Sequence, residues 1–168
     1  MKNTRANGET IEMLYRRHSS ALVLFAAAMT GDRARAQDAV HQVFARLLAQ
    51  GGIGHAMAAK AYLFACVRNA ILNEAKARRR EVALDAGAAW FDPPDRDYAA
   101  ELRLRQALAA LDDAQREVTV LHVWGELTFA EIGEVLGVSP NTAASRYRYA
   151  LARLREAMCA TEGCHAEP

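Results

Sequence analysis

Between Pro140 and Ala150, Thr142, Ser145, Arg146, Arg148 and Tyr149 set hydroxyls and guanidinium groups at helical spacing. Arginine can read guanine through two hydrogen bonds, and serine or threonine can reach a base or a phosphate. A second group is basic: Arg68 and Asn69, followed by Lys76, Arg78, Arg79 and Arg80. Lys76–Arg80 fits a phosphate-neutralising cluster. It also fits a solvated helix end whose cations favour the helix dipole. A third group, Cys159-x4-Cys164-His165, offers soft-metal ligands or two oxidisable thiols.

The elements around the first group are strongly marked. Thr128 with Glu131 has the spacing of a capping box. Phe129, Ile132, Val135 and Leu136 form one apolar face, and Gly137 ends that helix in a conformation glycine adopts at low cost. Ser139 can cap the next helix, with Pro140 at its first position. Ala143, Tyr147, Leu151 and Leu154 supply an inward stripe. Together these make a helix-turn-helix, whose second helix enters a DNA major groove. A plain amphipathic helix would also show a basic face, but the order helix, cap, turn, cap, helix favours DNA.

The 168 residues fit one domain or two small ones, and 24% are charged. Alanine, leucine, arginine and glutamate favour helix, and no alternating Val/Ile/Thr run suggests a sheet. The chain is expected to be all-α. No apolar stretch is long enough to span a membrane, and MKNTRANGET lacks a signal peptide's apolar core. A cytoplasmic location without membrane insertion is the expectation. The net charge of +1 conceals an asymmetry. Residues 1–80 hold 13 Lys/Arg against 5 Asp/Glu, residues 81–100 hold 1 against 5, and residues 101–168 hold 7 against 10. A basic first half suggests a polyanionic partner.

Periodicity predicts helices over about 10–29, 33–49, 57–79, 98–111 and 114–123, ahead of the helix-turn-helix. Residues 1–8 are expected to lack order, and Gly51-Gly52-Ile53-Gly54 is a loop. Residues 81–98, with Trp90-Phe91-Asp92-Pro93-Pro94-Asp95, form a flexible acidic linker on which the two aromatics could dock back onto a neighbouring domain. The division is therefore a helical domain (9–80), a linker (81–98), a second helical domain (99–158) and a tail (159–168).

These segments together resemble an extracytoplasmic-function sigma factor of the sigma-70 family. Ala110–Arg155 is similar to the family's fourth region, which binds the promoter −35 element. AQDAVHQVFARLL, Ala36–Leu48, resembles the polymerase-binding part of the second region. Ala61–Arg80 resembles the stretch that melts the promoter and reads the −10 element. The resemblance implies two small helical domains, partnership with core RNA polymerase and promoter DNA, and a possible anti-sigma factor. It implies −35 contacts from Asn141, Thr142, Ser145, Arg146 and Arg148, with Tyr149 against a phosphate or an apolar group. It implies −10 and melting contacts from Arg68, Asn69, Lys76, Arg78, Arg79 and Arg80, with Asn69 where the family helps hold a flipped base. It matches Asp38, His41 and Gln42 to the polymerase-binding segment, while Val40, Val43, Phe44 and Leu47 are expected to be core. Ala144 and Tyr149 stand where the family often has a basic residue.

No phosphate loop, HExxH or nucleophile motif is present, so neither an enzyme nor a bound cofactor is expected. Cys66 is expected to be a buried structural thiol. Cys159, Cys164 and His165 are one ligand short of a structural metal site, and an inert tail is the plainer expectation. A sigma mimic that sequesters an anti-sigma factor and a dimeric helix-turn-helix regulator rank behind the sigma factor. The retained arginines argue against the mimic, and the first half of the chain argues against the regulator.

Overall fold

Short-range caps decide where the helices begin. In the computed structural model, which describes residues 5–6, 9–53, 58–80 and 98–162, α1 (Ile11–Thr30) starts after Thr10, whose Oγ1 accepts from Met13 N–H. Asp32 does the same for α2 (Arg33–Gln50), and Asp112 for α5 (Asp113–Val123). Each of these side chains satisfies an amide that the helix itself leaves without a partner. Gly31 and Gly51 close α1 and α2 at φ 71° and 86°, in the left-handed region. The remaining helices are α3 (Ala59–Arg80), α4 (Tyr98–Ala109), α6 (Phe129–Leu136) and α7 (Pro140–Glu162).

The fold is all-α apart from one two-residue ladder, β1 (Arg5–Ala6) antiparallel to β2 (Glu9–Thr10). Residues 1–8 were expected to lack order, so the pairing of Arg5 and Ala6 is a correction. Backbone groups make the ladder, and no side-chain periodicity announces it. The acidic segment 81–97, with Trp90 and Phe91, lies outside the described residues.

Helices α1, α2 and α3 pack on one another, and α7 gathers α4, α5 and α6. Phe25 meets Phe64 edge-on at 5.6 Å, and Tyr15 meets Phe44 at 5.0 Å. Val40, Val43, Phe44 and Leu47 are buried, as the core reading required. The two groups also touch: α1 packs on α5 and α3 on α6, and one cluster of buried apolar residues runs through both. Arg116 ties α5 back to the end of α4. Its guanidinium donates to the carbonyls of Leu108, Ala109 and Leu111, at and just past the C-terminal end of α4.

Cys66 is half-buried rather than fully buried. Burial pushes its thiol above the ordinary value, against the opposing effects of the Tyr62 hydroxyl and Arg46. The hydrogen bond with Cys66 in turn raises the Tyr62 hydroxyl. Among the described residues, no helix is long and apolar enough to cross a membrane.

Candidate nucleic-acid interface

The caps anticipated around the helix-turn-helix all form. Thr128 Oγ1 accepts from Glu131 N–H at 3.3 Å, and Glu131 Oε2 accepts from Thr128 N–H at 2.8 Å. Gly137 closes α6 at φ 69°. Ser139 Oγ accepts from Thr142 N–H at 3.1 Å and starts α7. The turn is tight: Val138 N–H donates to Gly133 C=O at 3.0 Å. A Cβ on Gly133 would stand 2.6 Å from the Val138 carbonyl oxygen, so only glycine fits there without a shift of the turn.

Three rings hold the angle between these helices. His122 of α5 stacks on Phe129 of α6 at 4.5 Å and meets Tyr147 of α7 edge-on at 4.6 Å. His122 Nδ1–H donates to Leu127 C=O at 2.9 Å, since a carbonyl can only accept. Sequence reasoning missed this role because nothing near His122 in the chain signals a partner on each of two later helices.

With Tyr147 turned inward and Ala143 and Ala150 buried, the opposite face of α7 is open. Asn141, Arg148 and Tyr149 are exposed on it, Tyr149 at 68%. Thr142, Ser145 and Arg146 are part-exposed, and Arg148 Nη2 donates to Ser145 Oγ at 3.2 Å. The six residues named for −35 contact thus share one helix: Asn141, Ser145, Arg148 and Tyr149 lie on the side away from its packed stripe, with Thr142 and Arg146 on the flank. The arrangement can present two guanidinium groups and several hydroxyls to a groove.

On α3 the neighbours part. Asn69 and Lys76 are exposed, whereas Arg68 turns toward α5 and donates to Glu117, Nε to Oε1 at 2.9 Å and Nη2 to Oε2 at 3.2 Å. The backbone of Arg78, Arg79 and Arg80 completes the helix, and their side chains lie outside the described residues. On α2, Asp38, His41 and Gln42 are all exposed, opposite the face that carries Val40, Val43 and Leu47. Leu48 extends this outer face and is 61% exposed. His41 Nε2 shares a hydrogen bond with the Tyr15 hydroxyl at 3.1 Å. Asp38 and Gln42 line a shallow groove with Arg35 and Glu74, themselves paired at 3.0 Å.

Cys159 lies within α7 by its backbone, and Cys164 and His165 lie outside the described residues. Among the described residues no cluster of His, Cys, Asp or Glu could hold a metal ion.

Two family models match this architecture. Sigma-70 region 2 covers residues 14–81, and Sigma-70, region 4 covers residues 101–154. The ECF RNA polymerase sigma factor SigL of Mycobacterium tuberculosis H37Rv is 32% identical over 158 residues, spanning 89% of each chain. The chain belongs to the extracytoplasmic-function sigma factors. Another relative, the RNA polymerase sigma-E factor of Streptomyces avermitilis, is 31% identical over 90% of this chain and 87% of its own length. Among solved structures, the sigma factor RpoE of Bartonella quintana, in complex with the anti-sigma factor NepR, has a TM-score of 0.73. It shares 23% identity and covers 88% of this chain and 95% of that one. CnrH, in complex with the cytosolic domain of CnrY, has a TM-score of 0.67 at 23% identity, covering 89% and 88%. As a member of the sigma-70 family this sigma factor acts with RNA polymerase in transcription initiation, and α6 with α7 is its DNA-binding helix-turn-helix.

Proposed function

We propose that residues 9–80 form the domain that docks on core polymerase and captures the −10 element, and that residues 99–158 form the domain that reads the −35 element. Residues 81–98 join them, and residues 159–168 are a tail without a metal. The observation that carries this reading is the open face of α7, where Asn141, Arg148 and Tyr149 stand clear of the packed stripe inside a region 4 match. Asn141, Thr142, Ser145, Arg146 and Arg148 contact the −35 major groove, and Tyr149 covers a phosphate or an apolar group. Arg68, Asn69, Lys76, Arg78, Arg79 and Arg80 serve the −10 strand, with Asn69 at the flipped base. The exposed Asp38, His41 and Gln42 of α2 meet the polymerase.

The polymerase performs the chemistry, and this chain contributes recognition and strand separation, so it is not itself an enzyme. Unstacking a base costs a few kcal/mol, which capture of the flipped base and of the backbone offsets. The linker of residues 81–98 spans up to about 60 Å when extended, at about 3.3–3.6 Å per residue. The protein works in the cytoplasm, and an anti-sigma factor holds it idle, as the complex of RpoE with NepR suggests by analogy of fold.

Titration of the holoenzyme against promoter duplex at several salt concentrations tests the assignment. Arg148→Ala and Lys76→Ala each lower the log K against log salt slope by about one if they neutralise one phosphate. Arg146→Ala relaxes base preference in the −35 element by about 1–3 kcal/mol if it reads a base. Unchanged slopes and unchanged preference in all three variants would remove these residues from the interface.

A further inference from the structure

Among the described residues, Glu117 is the only buried charged side chain, at 6% exposure. Its partner Arg68 comes from the other helix group, 49 residues earlier, and the two side chains meet as a two-pronged fork. Phe25, Met29, Ile71 and Leu72 close around the pair and limit its access to water. A second contact across the same boundary joins Lys60 Nζ to Glu126 Oε2 at 3.5 Å, with Glu126 largely exposed. Exposed pairs of that kind contribute little, whereas a buried pair that loses one member leaves an uncompensated charge in the interior. Arg68 with Glu117 is therefore the more consequential of these two polar contacts, added to the apolar packing of α1 on α5 and of α3 on α6.

Arg68 is also one of the cations assigned above to promoter DNA, and the inference rests on that reading. A carboxylate offers a guanidinium the same planar, two-oxygen match that a phosphate offers. We infer that Glu117 is an internal competitor for Arg68, a carboxylate in the place of a promoter phosphate, which latches the two helix groups in a closed form. The closed form cannot engage both promoter elements at once. Elements 25 base pairs apart lie roughly 85 Å apart along B-DNA, whereas α3 here packs directly on α6, one turn away from α7. Binding of DNA or polymerase must separate Arg68 from Glu117, and any change that weakens the pair raises the fraction of open chains.

The Lys60–Glu126 contact supplies the assay, because a zero-length carbodiimide couples an amine to a carboxylate only when the two touch. In the full chain, mass spectrometry is expected to detect the Lys60–Glu126 linked peptide. Glu117→Lys, which sets a cation opposite Arg68, lowers its yield at least tenfold, and Glu117→Gln lowers it several-fold. The exchanged pair, Arg68→Glu with Glu117→Arg, restores the yield to within about twofold of wild type. Core polymerase with promoter duplex suppresses the link in the wild-type chain. Circular dichroism of each variant separates opening from unfolding, and if Glu117→Lys does not fold, Glu117→Gln decides. Wild-type yield in a folded Glu117→Gln or Glu117→Lys chain would overturn the latch, as would a link that persists in the promoter complex. A link counts as persisting only in a chain footprinted on the promoter; a wild-type chain that neither footprints the promoter nor supports transcription, while the variant yields keep this order, would count against the promoter assignment and leave the latch standing.

Discussion

Substitution of Gly133 by alanine probes the joint on which the recognition helix turns. A Cβ there would lie 2.6 Å from the Val138 carbonyl oxygen, 3.4 Å from Pro140 N and 3.6 Å from Pro140 Cδ. Ordinary carbon–oxygen contacts are about 3.3–3.6 Å, so the turn must retreat by roughly 0.7–1 Å. The obstructing atom belongs to the backbone, which cannot rotate away as a side chain would. The cost therefore falls in the upper part of the about 1–3 kcal/mol typical of overpacking. Alanine recovers about 0.8–1.0 kcal/mol because Gly133 sits inside α6. The expected net loss is about 1–2 kcal/mol, a fall in Tm of about 2–4 °C per kcal/mol for a chain of this size. Gly137→Ala is the useful control: nothing lies within 4 Å of its Cβ position, but φ is +69°, so its cost is one of backbone conformation alone, about 1–2 kcal/mol. Because Gly133→Ala also displaces Val138 and Pro140, it should weaken −35 duplex binding by more than Gly137→Ala at equal stability. Calorimetry and a duplex-binding titration on both variants test this. A Gly133→Ala chain that melts at or above the wild-type temperature and binds duplex normally would refute the reasoning.

Thr128→Ala should cost about 1 kcal/mol in urea denaturation through loss of the capping box, and Thr128→Ser should be close to neutral. His122→Ala removes two ring contacts worth about 0.5–1.5 kcal/mol each and leaves the Leu127 carbonyl without its donor. His122→Phe keeps the rings and loses only the hydrogen bond, so thermal stability should rank wild type, then Phe, then Ala. The folded Cys66 thiol ionises above its ordinary value, so its contribution to stability is complete below the unfolded-state value and is lost as pH rises through the folded one. Urea midpoints measured from about pH 7 to about pH 10 should fall with pH in a chain carrying Cys159→Ser and Cys164→Ser. Adding Cys66→Ser should make that fall shallower.

Much of the fold was legible because its punctuation is local. Thr10, Asp32, Asp112, Thr128 and Ser139 accept amide protons within three residues, and Gly31, Gly51 and Gly137 end helices by their own conformation. The inward stripe of α7 was readable for the same reason, since helical spacing alone separates Ala143 and Tyr147 from Asn141 and Arg148. What could not be read is whatever depends on how helices are set against each other. Arg68 and Asn69 are adjacent in sequence and both fit a DNA-facing helix, yet one turns to Glu117 and the other to solvent. The His122, Phe129 and Tyr147 cluster and the partial exposure of Cys66 belong to the same class. Each needs a second helix to be in place before the side chain's surroundings exist.

Run-off transcription with purified core RNA polymerase, over fragmented genomic DNA from the source organism, tests the central claim most directly. Addition of this chain should yield discrete transcripts whose start sites share two upstream elements, one near −10 and one near −35. Absence of any such transcripts, with active core and a working control sigma factor in parallel, would contradict the account.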